Sequence, residues 1–215
     1  MHVVVTGANR GIGHALAAHL EASGATVTRT SRSPQPGYAT LDVTDPESQC
    51  AFAEHLGTRA IDLLVCNAGV YLDKGQTFEG GFAADLWAQT FATNVGGVFQ
   101  TIQALMPHVK RSTTPKVAII SSVMASTAQA PGGSYIYRAS KAAVLNLGRN
   151  LASDFRDDGV AFGIYHPGWV ITDMGGPSAA VTVDESAAGL VERFAALTLA
   201  NTGVYEDFRG EAIPF

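Results

Sequence analysis

The chain has 215 residues, of which 47% are apolar and 15% charged, with 23 glycines and a formal net charge of −5 at pH 7. That length and apolar content suit one ordinary domain around one large core, so residues 1–215 are expected to form a single unit. The acidic balance, with no basic run, excludes a nucleic-acid footprint built on clustered Lys and Arg. Every hydrophobic run is interrupted well short of the about 20 apolar residues that a membrane-spanning helix needs.

The first apolar run, Val3 to Thr6, starts almost at Met1 and leaves no room for a secretory signal, so a cytoplasmic protein is expected. Cys50 and Cys66 form neither a redox pair nor a ligand pair and read as reduced packing residues. The six histidines lack any HExxH or paired spacing, and no metal site is expected. Further short apolar runs follow at Ala25 to Thr30, Ala39 to Leu41, Ile61 to Cys66, Lys116 to Ser121 and Val160 to Tyr165. Between them, Gly11 to Ser23, Asp45 to Leu56, Ala84 to His108, Tyr137 to Arg156 and Asp184 to Leu199 carry apolar residues at helical spacing. Thr44-Asp45-Pro46-Glu47 opens the second of these with a cap, an early Pro and a Glu three positions after Thr. This alternation predicts an α/β fold: a Rossmann-type doubly wound parallel sheet with helices on both faces.

The first run leads into Thr6-Gly7-Ala8-Asn9-Arg10-Gly11-Ile12-Gly13 and then an amphipathic helix. Glycines at this junction let the backbone turn tightly and approach a pyrophosphate seated over the helix N-terminus. Asn67-Ala68-Gly69 ends a later strand at the carboxyl edge of the sheet, where ligands of such folds bind. The second strand ends in Ser31-Arg32, with no carboxylate to accept from ribose hydroxyls. Arg32, with Arg10 as a second cation, could instead pair with a 2′-phosphate.

Tyr137 and Lys141 stand four apart at the start of a helix and share a face. Hydride transfer to a carbonyl needs a proton donor for the developing alkoxide, and a neighbouring cation is expected to lower the phenol's pKa towards neutrality. Ser122 at a strand end could hydrogen-bond the same oxygen, with Ser121 and Ser126 as alternatives. Asn94 interrupts a long helical pattern. It needs a partner, either an ordered water leading to Lys141 or groups within a kinked helix. Main-chain groups near Val170 and the hydroxyl of Thr172 suit a nicotinamide carboxamide or the phosphates. Tyr135, Phe78, Trp169 and Met174 could line a substrate pocket.

In this order Thr6-Gly7-x-x-x-Gly11-x-Gly13, Asn67-Ala68-Gly69, Asn94, Ser122, Tyr137-x-x-x-Lys141 and Pro167-Gly168 through Thr172 resemble the short-chain dehydrogenase/reductase family over the whole chain. The YRASK and HPGWV stretches are most similar to its C-factor-like branch. The resemblance implies a catalytic tetrad of Asn94, Ser122, Tyr137 and Lys141, and an adenine contact at Asp42 and Val43. It makes Ser31-Arg32 an NADPH-preferring variant of the cofactor site. A reductase or dehydrogenase of a small carbonyl or alcohol is expected, as a homodimer or homotetramer. The rival reading is a nicotinamide-binding signalling protein with little turnover. An epimerase would need more chain after Thr172 than is present.

Overall fold

Val3, Val4 and Val5 are fully buried, and they point alternately into two different cores. In the computed structural model, which describes residues 1–215, they belong to β1 (His2–Val5), near the middle of one seven-stranded sheet. The others are β2 (Thr26–Ser31), β3 (Ala39–Thr40), β4 (Leu63–Cys66), β5 (Lys116–Ile120), β6 (Ala161–His166) and β7 (Val204–Asp207). Their order is β3-β2-β1-β4-β5-β6-β7, and every pairing is parallel. Such a sheet must be covered on both faces, which explains why its central strands β1, β4, β5 and β6 are largely apolar and buried.

One face packs Val4, Leu64, Cys66, Val117, Ile119 and Phe162 against α2 (Pro46–Leu56), α4 (Gly97–Val109) and α5 (Tyr135–Asp154). The other packs Val3, Val5, Leu63, Val65, Ala118 and Tyr165 against α1 (Gly11–Ala22) and α6 (Val183–Ala196). Chain order reverses between β1 and β4, whose carboxyl ends open a crevice between the layers. Ligands of open α/β sheets bind at such a switch point.

The expected helix from Ala84 to His108 is divided. α3 (Ala84–Phe91) leads into a π-helical turn at Ala92–Gly96, and α4 continues to Val109. Asn94, Gly96 and Gly97 are poor helix formers, and wide turns of this kind recur at functional sites. Asp45, rather than Thr44, caps α2 by accepting from the Glu47 N–H at 3.0 Å, while Thr44 turns back to Asp42. α5 starts two residues earlier than its apolar spacing suggests, and β7 was not evident in the sequence at all.

Candidate active site

Gly7 and Gly11 have φ of 63° and 54°, the left-handed region that favours glycine, and they turn the chain from β1 into α1. Gly13 is required for a different reason. A Cβ there would fall 2.4 Å from both Asn67 Nδ2 and Gly7 O. Asn67 uses that nitrogen to donate to Thr6 O at 2.9 Å and Gly7 O at 3.2 Å. Thr6 Oγ1 in turn accepts from the N–H groups of Asn67 and Ala68 at 2.9 and 3.0 Å. The ends of β1 and β4 are thereby tied together, and Asn67 acts as a brace for the glycine turn.

Arg10 precedes α1 without capping it by a side chain, and the first turn of α1 holds no acidic residue. The leading N–H groups and the positive end of the helix dipole are left for an anion. Asn9 and Ile12 flank this opening, Asn9 exposed and Ile12 half-buried. Arg10 itself pairs with Asp173 at 3.0 Å rather than pointing at the end of β2. Both side chains are largely exposed, so solvent screens the pair and it is weak.

Ser31 is buried at the end of β2, whereas Arg32 is exposed and its guanidinium has no hydrogen-bond or ion-pair partner. After β3, Asp42 accepts from the N–H and hydroxyl of Thr44 through one oxygen, and Val43 is buried in the core. Beyond β6, Pro167 accepts from Ser186 Oγ at 2.6 Å, and Gly168 turns the chain with φ of 89°. Val170 is held beside Val181 by the bonds of its neighbours, leaving its own N–H without a partner. Thr172 Oγ1 donates to Val170 O and accepts from the Gly175 N–H, and its methyl faces Gly11 across the groove.

The chemical groups converge on the first turns of α5. Tyr137, Lys141, Ser122 and Asn94 are all buried. Lys141 Nζ lies 5.7 Å from the Tyr137 ring centroid and donates to Ile120 O at 3.0 Å. Burial pushes the Tyr137 phenol above its ordinary range, and the Ser122 side chain acts in the opposite direction. The expected drop towards neutrality is therefore absent, because loss of hydration dominates. Burial also drives the Lys141 ammonium down from 10.5 to about 8.

Of the three candidate serines, Ser122 is the one whose side chain acts on the Tyr137 phenol, and its Oγ also accepts from the Met124 N–H at 3.1 Å. Ser121 Oγ instead donates to the Lys141 carbonyl at 3.3 Å, and Ser126 Oγ accepts from the Gln129 N–H in the following turn. Asn94 is not satisfied within its own helix. Its Oδ1 accepts from the Val70 N–H at 2.8 Å, and its Nδ2 donates to Val70 O and Ser140 Oγ at 2.9 and 3.0 Å. It still lies near Lys141, since a Cβ on Gly69 would lie 3.3 Å from Asn94 Oδ1 and 3.6 Å from Lys141 Nζ.

The sequence profile described as short chain dehydrogenase matches residues 1–181. The chain is 35% identical over 168 residues to C-signal of Myxococcus xanthus, covering 77% of this chain and 99% of that protein. The chain belongs to the short-chain dehydrogenase family. Within the family it falls in the C-factor-like branch. The NADPH-bound carbonyl reductase from chicken fatty liver superposes with a TM-score of 0.90 at 29% identity, covering 100% of this chain and 98% of that one. A putative short-chain dehydrogenase/reductase from Burkholderia multivorans with bound NADP gives 0.90 at 31%, covering 100% and 99%. As a member of this family the chain is an oxidoreductase with a Rossmann-type fold.

Three residues at the site were not singled out from the sequence. Tyr205 on β7 donates its hydroxyl to the Ser122 carbonyl at 2.5 Å and holds the strand end that carries the serine. Tyr71 stacks on Tyr137 with centroids 4.2 Å apart, and the Asp73 carboxylate reaches the start of α5. None has a local pattern to reveal it, because each acts across more than 60 residues of sequence. Beside Ser122 a cleft of about 530 Å³ opens between Val123, Met124, Gln129, Ala130, Pro131 and Arg138. Of the expected lining residues, Tyr135 meets Phe78 and Phe82 edge-on, while Trp169 Nε1 donates to Gly175 O at 3.0 Å. Met174 is exposed, and Lys74 ties its carbonyl to the opposite loop at 2.8 Å.

Proposed function

We propose that the protein is an NADPH-dependent carbonyl reductase in which Tyr137 protonates the substrate oxygen, assisted by Ser122, Lys141 and Asn94. The observation that carries this reading is the burial of Tyr137, Lys141 and Ser122 together where α5 packs beside the carboxyl end of β5, with Lys141 Nζ 5.7 Å from the Tyr137 ring centroid. The cofactor fits the residues present: an uncapped helix N-terminus for the pyrophosphate, the free Val170 N–H for the carboxamide, and unpaired Arg32 for a 2′-phosphate. Gly7, Asn9, Arg10, Gly11, Ile12 and Gly13 line the pyrophosphate end. Asp42, Val43, Asn67, Ala68 and Gly69 line the adenosine side and floor, and Pro167, Gly168, Val170 and Thr172 close the nicotinamide side.

The bound nicotinamide supplies the hydride. Tyr137 is held as a neutral phenol, the protonation state a donor needs, and gives its proton to the much more basic oxygen that forms. Ser122 hydrogen-bonds the same oxygen as its charge develops. The phenolate left behind is stabilised by Ser122 and by the Lys141 ammonium across its ring. Asn94 holds Val70, and with it the wall beside Lys141. The substrate class is a small carbonyl or its alcohol, admitted from the cleft beside Ser122. The NADPH-bound chicken carbonyl reductase and the NADP-bound Burkholderia multivorans protein support the cofactor choice.

Similarity to C-signal favours a second reading, a nicotinamide-binding signalling protein with little turnover. A panel of aldehydes, ketones and quinones, followed by loss of NADPH absorbance, separates the two. Turnover of at least one compound class is expected, and tight NADPH binding with no turnover on any would favour signalling. The working form is proposed to be a cytoplasmic homodimer or homotetramer joined through α4 and α5. Sedimentation showing only monomer at micromolar concentration would contradict that assembly.

A further inference from the structure

The helix that presents Tyr137 begins unusually. Ser134 occupies the N-cap position of α5 but has φ of 48° and ψ of 46°, and it is the single non-glycine residue of the chain in the left-handed region. An N-cap serine normally has extended backbone and accepts from the N–H groups two or three residues on. Ser134 makes no such bond. Its hydroxyl is engaged instead by the Tyr71 hydroxyl, from the loop after β4.

The cap comes from that same loop. Asp73, 1% exposed, accepts from the Ile136 N–H through Oδ2 at 2.9 Å and from the Tyr137 N–H through Oδ1 at 3.2 Å. These are the second and third helical amides, the pair a serine cap would ordinarily serve. The carboxylate has no cation partner, so these amides and the positive end of α5 compensate its buried charge. Between the two contacts, the Tyr71 ring lies 22° from parallel with that of Tyr137.

We propose that Tyr71 and Asp73 form a clamp that sets the position of the Tyr137 phenol, making both positioning residues for the proton transfer. Tyr71 fixes the plane of the phenol ring and anchors Ser134, while Asp73 fixes the backbone that carries the ring. One loop thereby controls both ends of the Tyr137 side chain. This inference rests on the assignment of Tyr137 as proton donor, and the experiment separates the two.

Asp73→Ala and Tyr71→Ala should each lower kcat for carbonyl reduction by about 10–100-fold, the scale of a small misplacement of a reacting group. The substrate KM and the NADPH Kd should be essentially unchanged, a split that general loosening of the fold would not produce. Asp73→Asn keeps one acceptor oxygen and should recover part of kcat. Tyr71→Phe keeps the stacking and should fall between Tyr71→Ala and the unmodified protein. These two milder variants carry the test if the alanine variants fail to fold. Independently of turnover, hydrogen exchange at the Ile136 and Tyr137 amides should quicken in Asp73→Asn and more so in Asp73→Ala.

Unmodified kcat in the folded variants, or a proportionate loss of NADPH binding, would overturn the clamp. Unchanged exchange at the two amides would do the same. Tyr137→Phe in the same assay distinguishes the failures. If it retains turnover, the assignment of the proton donor is wrong, whereas if it is inactive and the Tyr71 and Asp73 variants are normal, only the clamp is wrong.

Discussion

Asn94 holds both main-chain groups of Val70 with one side chain, accepting from its N–H at 2.8 Å and donating to its carbonyl at 2.9 Å. Asn94 is fully buried, so these groups have no water to fall back on. Its third bond, to Ser140, reaches the residue before Lys141. The loop after β4 at Val70, the π-helical turn and α5 are thus fastened at one amide.

Asn94→Ala leaves the two Val70 groups unpaired at about 1–3 kcal/mol each, so unfolding free energy should drop by at least about 2 kcal/mol. Urea denaturation followed by tryptophan fluorescence measures this. A loss below about 0.5 kcal/mol would mean that the Val70 contacts contribute little beyond an ordinary surface substitution.

Lys141 should cost the apo protein stability. Its pKa is about 8 when folded and 10.5 ordinarily, so between those values the unfolded chain binds more protons and stability from this group rises with pH. Below pH 8 the penalty for a buried ammonium is fully present, on the order of 3 kcal/mol. Lys141→Met should therefore be inactive yet more stable than the unmodified apo protein at pH 7, with the gap narrowing as pH rises towards 10.5. A less stable variant at pH 7, or a gap independent of pH, would show that the ammonium is compensated when buried.

Arg32 is unpaired and exposed at the end of β2, free to meet a 2′-phosphate. Arg32→Ala should weaken NADPH binding by about tenfold or more, from the loss of a charge-assisted hydrogen bond, while NADH binding is unaffected. Equal NADPH and NADH dissociation constants in the unmodified protein would remove the basis for NADPH preference.

Much of this architecture was legible because it is written locally. The glycine turn, the Tyr137 to Lys141 spacing and the alternation of apolar runs with helical patterns each lie within one stretch of chain. β7 was not legible, since Val204-Tyr205-Glu206-Asp207 has no apolar run and owes its pairing to β6. Asn94 stood out as a polar residue in a helix, but its partners at Val70 and Ser140 are set by packing. The direction of Arg10 is not readable from spacing, because its side chain is exposed, and it pairs with Asp173. The direction of the phenol pKa is not legible in the sequence, where the Lys141 spacing shows and the burial of Tyr137 does not. Asp73 could not be found from spacing, as it caps a helix 63 residues further on.

If the substrate oxygen receives its proton from Tyr137, Tyr137→Phe removes that proton and little else. Phenylalanine keeps the ring stacked on Tyr71 and deletes only the hydroxyl. The measurement is single-turnover reduction of a carbonyl substrate identified with the unmodified protein, made alongside NADPH titration of both proteins. The expected rate is lower by about 10²–10⁴-fold, with an NADPH dissociation constant that barely moves. Reduction by Tyr137→Phe at the unmodified rate would contradict that role for Tyr137.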